Sequence, residues 1–191
     1  MAFSQTSQFL ISSIGSIINL YCIILVLRVW LQLAWADFYT PLSQFVVKCT
    51  QPVLAPLRRV FRPIKNVDIA ALVMIFILNA LKFVLFILNF DIAGIVLLGV
   101  LGIIKSIGVT IFYVLLLGAL LSWFAQTNAG ASIYFQINQL NEPLLRPIRR
   151  ILPTLGMIDF SPMVVLLVLL LLNNLMLDLL GNLWQLWVFA G

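Results

Sequence analysis

Two pairs of arginines are the residues of this chain best suited to hold a ligand. Arg58-Arg59 and Arg149-Arg150 each close a Pro-x3-Pro-Leu/Ile-Arg-Arg segment, running from Pro52 through Pro56 and from Pro143 through Pro147. The two segments stand 91 residues apart without a gap, and an aspartate, Asp68 or Asp159, follows each pair nine residues on. A guanidinium presents a planar fork of donors that grips a phosphate with two parallel N–H bonds. The four arginines are therefore candidate lipid-binding or partner-binding residues. A plainer reading is also open: the basic residues fix the topology of a loop, and Asp68 and Asp159 cap the helices that follow.

A second set of polar groups sits inside long apolar runs. Asn79 and Lys82 share a helical face at i, i+3, Asn174 and Asp178 share one at i, i+4, and Lys82 stands 91 residues before Asn173. A charged side chain at a bilayer centre costs about 2.5–3.5 kcal/mol on insertion scales, so such residues mark candidate sites. Together they predict a polar seam between spans, with Lys82 or Lys105 reaching Asp178. The alternative is that Lys105 and Asp178 snorkel to the outer interface while Lys82 makes a structural hydrogen bond. Arg28 and Gln32, beside Trp30, read as interfacial.

Other chemistry is excluded by what the chain lacks. It has no histidine, so Ser-His-Asp and Cys-His catalysis, His-ligated zinc and an internal His-liganded haem are ruled out. The six acidic residues are scattered, without the carboxylate cluster that phosphotransfer or lipid chemistry calls for. Cys22 lies in an apolar run and Cys49 in a loop, which argues against a disulfide framework. No cofactor, no metal and no enzymatic activity are expected. The net charge of +5 rests on a few residues in membrane-flanking loops, which points to anionic headgroups and away from nucleic acid.

The elements that position these residues follow from composition. Of 191 residues, 63% are hydrophobic and 9% charged, against about 45–50% and about 25% in soluble domains. Apolar runs at Phe9–Ala34, Ile69–Phe90, Ile92–Phe124 and Pro162–Leu180 meet the roughly 20 residues a span requires. The first lacks a basic leader and is too long for a signal peptide, so it is expected to be retained. Five Lys and Arg residues fall between Trp35 and Asp68 and three between Ala125 and Asp159, with none before Phe9, around Asp91 or after Leu180. The positive-inside rule then places both loops in the cytoplasm and both termini outside, in the periplasm if the cell is Gram-negative. Trp30, Trp35 and Trp123 fall at the inner ends of spans, and Trp184 and Trp187 beyond the outer end of the last.

The expected fold is all-α and transmembrane. Four membrane-spanning helices form two parallel-oriented repeats, residues 1–91 and 92–191, each with a short amphipathic interfacial helix in a cytoplasmic loop. In the first loop Leu42, Phe45, Val46 and Cys49 form the apolar face, with Ser43, Gln44 and Lys48 opposite; in the second the face is Ile133, Ile137 and Leu140. The paired prolines are expected to stop these helices, leaving Gln51 and Glu142 extended and the backbone bent. Pro162 is expected at the first position of the last span. The run Ile92–Phe124 is about 50 Å long as one helix, so a break near Gly94, Gly99 and Gly102 is predicted, with one long tilted helix as the alternative. Ser12-x3-Ser16 and Gly118-x3-Ser122 offer small-residue faces for close helix contact or for a homo-oligomer.

The same residues carry a resemblance. Asp37-Phe-Tyr-Thr-Pro-Leu-Ser-Gln-Phe45 leading to Gln51-Pro52 and Pro56-Leu-Arg-Arg59 resembles the YggT family. So does Pro143-Leu-Leu-Arg-Pro-Ile-Arg-Arg-Ile-Leu-Pro153 with Asp159-Phe-Ser-Pro162. The likeness covers essentially the whole chain, in the family's two-copy form. The first copy departs at Arg62-Pro-Ile-Lys65, where the second has Pro153-Thr-Leu-Gly156. The resemblance implies a small bacterial inner-membrane protein with plastid relatives. It also implies kinship with factors linked to cytochrome maturation, to membrane organisation at division and to osmotic-stress tolerance, and it carries no catalytic residue. The function expected is therefore non-enzymatic, in envelope organisation or assembly, with membrane lipids and a membrane protein or second copy as partners. A small oligomeric ion or solute transporter is the alternative.

Overall fold

The computed structural model describes residues 5–34, 39–63, 67–87, 92–124, 128–151 and 160–181. Six helices make up nearly all of them: α1 (Gln5–Leu33), α2 (Pro41–Val60), α3 (Ile69–Ile87), α4 (Ile92–Phe124), α5 (Asn128–Ile151) and α6 (Ser161–Leu180). Helices α1, α3, α4 and α6 are apolar on most sides, and a backbone in hydrocarbon must pair its own N–H and C=O groups. Phe9–Leu33, Ile92–Leu121 and Ser161–Leu180 are long and apolar enough to cross a bilayer, whereas α3 contributes a shorter apolar stretch, Ile69–Val84. Trp35, Trp184, Trp187, Asp91 and the differing turns at 62–65 and 153–156 fall wholly or partly outside the described residues.

The prolines do not stop α2 and α5. Pro52 and Pro56 lie inside α2, and Pro143 and Pro147 inside α5; Gln51 and Glu142 are helical. The reason lies in where the four rings point. Pro52 and Pro56 share an exposed ridge with Lys48 and Arg59, and Pro143 and Pro147 share one with Arg150. A proline at position i deprives the carbonyl at i−4 of its partner. Here those carbonyls belong to Lys48 and Pro52, and to Gln139 and Pro143, along the outer side, where water or headgroups can hydrogen-bond them.

The buried face of α2 is also turned from the expected one. Ser43, Val46, Thr50 and Leu54 point inward, while Phe45 is 57% exposed. Two hydroxyls were thus absorbed into the interior because polar partners meet them there. In α5, Gln136, Ile137, Leu140, Asn141 and Leu145 are buried and Ile133 is exposed.

Nor does α4 break. It runs as one helix of 33 residues, and its glycines serve packing. Gly99 and Gly102 are buried, and a Cβ at Gly99 would lie 2.5 Å from Cε2 of the Phe76 ring. Away from water, glycine's weakness as a helix former matters less, because no solvent competes for the backbone bonds. Pro162 is the second residue of α6, after Ser161.

Three apolar clusters hold the helices together. Cys22, Leu25, Val26 and Val29 of α1 pack with Leu54 of α2 and with Ala70, Ala71 and Ile75 of α3. Leu115 of α4, Leu145 of α5 and Val165 of α6 form a smaller counterpart. Between them Leu31, Val46, Val114, Ile137 and Leu140 join α1, α2, α4 and α5. The surface helices α2 and α5 are therefore wedged against the bundle by their leucines and valines.

Candidate functional site

The polar centre of the molecule lies where α2 crosses the end of α1 and the start of α3. Arg28, on α1, is only 6% exposed. Its Nη1 donates to Thr50 Oγ1, its Nη2 donates to Gln51 Oε1 at 3.2 Å, and its Nε stands 3.6 Å from Asp68 Oδ2. Thr50 Oγ1 donates in turn to the Val46 carbonyl at 2.7 Å. Arg58 reaches back from the end of α2 and donates through Nη2 to the same Oδ2 of Asp68. The carboxylate of Asp68 is wholly enclosed, and its second oxygen makes no hydrogen bond.

Asp68 does precede α3, and its carbonyl accepts from the N–H groups of Ala71 and Leu72. Its carboxylate, however, is spent on two guanidiniums. Taking an ion into low dielectric costs several kcal/mol unless it is paired and hydrogen-bonded, which is why one acid between two arginines persists here. The result is a clamp fastening α2 to α1 and α3.

Among the described residues, the second copy of the motif shows another ion pair. Arg149 pairs with Glu142 at 2.6 Å, a bridge that is partly exposed on both sides. Glu142 stands where the first copy has Gln51, Asn141 where it has Thr50, and Ala119 where it has Arg28. Asn141 Nδ2 donates to the Val114 carbonyl at 3.5 Å. Gly118 allows this approach, since a Cβ there would meet Asn141 Nδ2 at 2.6 Å. Asp159 lies outside the described residues.

Each arginine pair is thus divided. Arg58 and Arg149 turn to the chain's own acids, whereas Arg59 and Arg150 are exposed beside the proline ridges. The two surface helices also touch: Gln136 Nε2, on α5, donates to Ser43 Oγ at 2.8 Å and to Thr40 Oγ1 at the start of α2.

Among the apolar helices the expected seam is only half present. Asn79 and Lys82 are buried on α3. Asn79 Nδ2 donates to the Ile75 carbonyl at 2.9 Å and to Ser106 Oγ at 3.4 Å. Lys82 Nζ donates to Asn19 Oδ1 on α1, not to Asp178. The cause is orientation: Asn174 and Asp178 occupy the exposed face of α6, while Asn173 turns inward toward Lys105. The polar contacts therefore run through α1, α3 and α4. Ser12 and Ser16 lie exposed on α1.

Sequence reasoning missed Arg28, Thr50, Gln51, Asn19 and Gln136 as site residues. A signal was present for Thr50 and Ser43: both fall on the i, i+3/i+4 stripe with Val46 and Leu54, where a hydroxyl must find a partner. Arg28 sits in an otherwise apolar run near a span end, the same pattern that a snorkelling residue shows.

An all-helical chain with three helices of bilayer length and its ion pairs gathered at their ends has the build of a multi-pass membrane protein. The chain belongs to the CCB3/YggT family, whose model matches residues 7–89 and, a second time, residues 97–180. It is 55% identical to an uncharacterized protein of Haemophilus influenzae over the full length of both. Its identity to the uncharacterized protein YggT of Escherichia coli K12 is 46% over 88% of each chain. Against an uncharacterized protein in the proC 3′ region of Vibrio alginolyticus it is 43%, covering 90% of this chain and 95% of that one. No solved structure matches it.

Proposed function

We propose that this protein is a non-enzymatic organiser of the bacterial inner membrane that gathers anionic lipid headgroups under two surface helices. One observation carries the reading: in each arginine pair the first residue is held by the protein's own acid, while the second, Arg59 or Arg150, is offered outward. An anchor that only set topology would leave both arginines of a pair equivalent. In this reading α3, 19 residues and about 28 Å long, is the fourth span, and it carries the buried Asn79 and Lys82. The two repeats run parallel, α2 and α5 lie at the cytoplasmic surface, and both termini are outside. Lys48, Arg62 and Arg146, all exposed, widen the basic surface around Arg59 and Arg150. Assembly of membrane partners on that surface, with a consequence for osmotic-stress tolerance, is the cellular role it suits.

The test is lipid retention. Protein in nanodiscs of mixed phosphatidylglycerol and phosphatidylcholine is released into the gas phase, and the adducts that remain are weighed. Phosphatidylglycerol is expected to be enriched for the native chain and to lose its preference in the Arg59→Ala/Arg150→Ala double variant. An unchanged preference in the double variant would sink the proposal.

A transporter is the second reading, favoured by the Asn19, Lys82, Asn79 and Ser106 contacts among apolar helices. One chain of this size has little room for a pore, so an oligomer would be needed. Flux in proteoliposomes that disappears in Lys82→Leu but survives Arg59→Ala/Arg150→Ala would favour it over the organiser.

A further inference from the structure

The apolar helices α1, α3, α4 and α6 carry four asparagines, and the bundle takes in three of them. Asn19 accepts from Lys82, Asn79 donates to Ile75 and Ser106, and Asn173 lines a cleft between α4 and α6. Asn174 alone is exposed, and it makes no hydrogen bond among the described residues. Nine residues at 100° each separate it from the buried Val165, which puts it on the opposite side of α6. It is 13 residues from the start of α6 and six from its end, about 20 Å and about 9 Å along the axis. An amide at that place in a spanning helix lies inside the hydrocarbon, on the outer surface of the protein.

The residues around it form a seam. Met163, Leu167, Leu170 and Asn174 fall at i, i+4, i+7 and i+11, the d, a, d and a positions of a heptad, and all four are exposed. Only 6% of the apolar stretch of α6 is buried, against 22% in α1 and in α4, so α6 has the most surface to offer. An apolar seam by itself selects no partner in a bilayer, because lipid tails are as apolar as leucine. The amide does select one. Lipid tails give it neither donor nor acceptor, and a polar group left unpaired in hydrocarbon is costly. Whatever covers this face must bring a hydrogen-bonding group to the same depth.

A second copy of the chain does so by symmetry. The charge bias of the loops inserts every copy the same way round, so two α6 helices can meet only in parallel, about a two-fold axis along the membrane normal. Each seam residue then meets its own counterpart. A carboxamide is both donor and acceptor, and Asn174 is complementary to itself at equal depth. We propose that α6 is a homodimer interface within the membrane, its register fixed by Asn174, as one polar residue at an a position fixes that of a coiled coil. Asp178, one turn on, takes the flanking e position near the helix end, where two carboxylates diverge toward the headgroups. The face that packs on α4 and α5 is the opposite one, so pairing leaves the bundle as it is. The interface uses neither Arg59 nor Arg150 and stands or falls apart from the lipid surface.

The experiment uses the full chain in membranes, with Cys22→Ala and Cys49→Ser removing the native thiols and one new cysteine placed on α6. Under oxidation with copper-phenanthroline, Leu167→Cys and Leu170→Cys are expected to give covalent dimers. Val168→Cys and Leu175→Cys, also exposed but about a third of a turn from the seam, are expected to give none. Affinity is read separately, from the photobleaching steps of a fluorescent chain in liposomes of varied protein density. Asn174→Leu is expected to weaken the dimer roughly 5- to 30-fold, the worth of an interhelical hydrogen bond in model membrane peptides, while Asn174→Gln, which keeps the amide, retains it. Position 174 is outside the bundle, so both variants are expected to keep the native unfolding midpoint. Equal crosslinking at all four positions, a monomer at every density, native affinity in Asn174→Leu, or seam cysteines that crosslink only to another protein would each overturn the proposal.

Discussion

Replacing Asp68 by asparagine keeps the shape of the clamp and removes its only negative charge. Asp68 is fully buried, Arg28 is 6% exposed, and their nearest charged atoms are 3.6 Å apart. At that separation and an effective dielectric of about 20, the attraction is about 4–5 kcal/mol. Most of it only offsets the desolvation of the two ions, so the intact pair contributes little net stability. Removing one partner is different, because Arg28 is then left charged and enclosed, a loss of about 3–5 kcal/mol. For a chain of this size each kcal/mol corresponds to about 2–4 °C at the unfolding midpoint, so Asp68→Asn is expected to lower the midpoint by about 6–20 °C. The assay is thermal unfolding in detergent, read by loss of the monodisperse peak on size exclusion. Arg28→Met should cost as much, since it strands Asp68 beside an Arg58 that is one-third exposed, whereas Arg28→Met/Asp68→Leu should recover most of the loss. A midpoint within about 2 °C of the native value for Asp68→Asn, or a double variant no better than either single one, would refute the reasoning.

Two further outcomes follow from the packing. Gly99→Ala should destabilise the bundle by about 1–3 kcal/mol, because the new methyl meets the Phe76 ring at 2.5 Å. Gly108→Ala, with nothing within 4 Å, should be neutral in the same unfolding assay, and the contrast is lost if both behave alike. Pro52→Ala/Pro56→Ala should raise the unfolding midpoint, since it restores two hydrogen bonds to a helix that is already continuous; a fall would mean that the rings are needed where they stand.

The apolar helices were legible because hydrocarbon leaves a backbone few choices: a long apolar run with internally paired amides is a helix whatever its detailed sequence. The proline-bearing helices were not, because a rule drawn from helix interiors treats all sides alike. Pro52 and Pro56 face outward, where the carbonyls they orphan are not trapped. The site was legible in part. Arg58 and Asp68 were singled out by spacing, and their pairing follows from a helix that continues through the prolines. Arg28 was hidden because a buried arginine and a snorkelling one read identically until the crossing helix is in place. The facing of Asp178 stayed open between two readings for want of a rotation angle: Asn173 and Asn174 are neighbours in sequence but face 100° apart on a helix, and only the fold says which one is inside.

The bond between Gln136 and the start of α2 joins residues 96 and 93 positions apart in the chain. Synthesis proceeds at about 5–20 residues per second, so Thr40 and Ser43 are made roughly 5–20 s before the side chain that ties them to α5. Over that interval the first surface helix can already be fastened to α1 and α3 through Arg28 and Asp68, and only its contact with α5 waits for the second half of the chain.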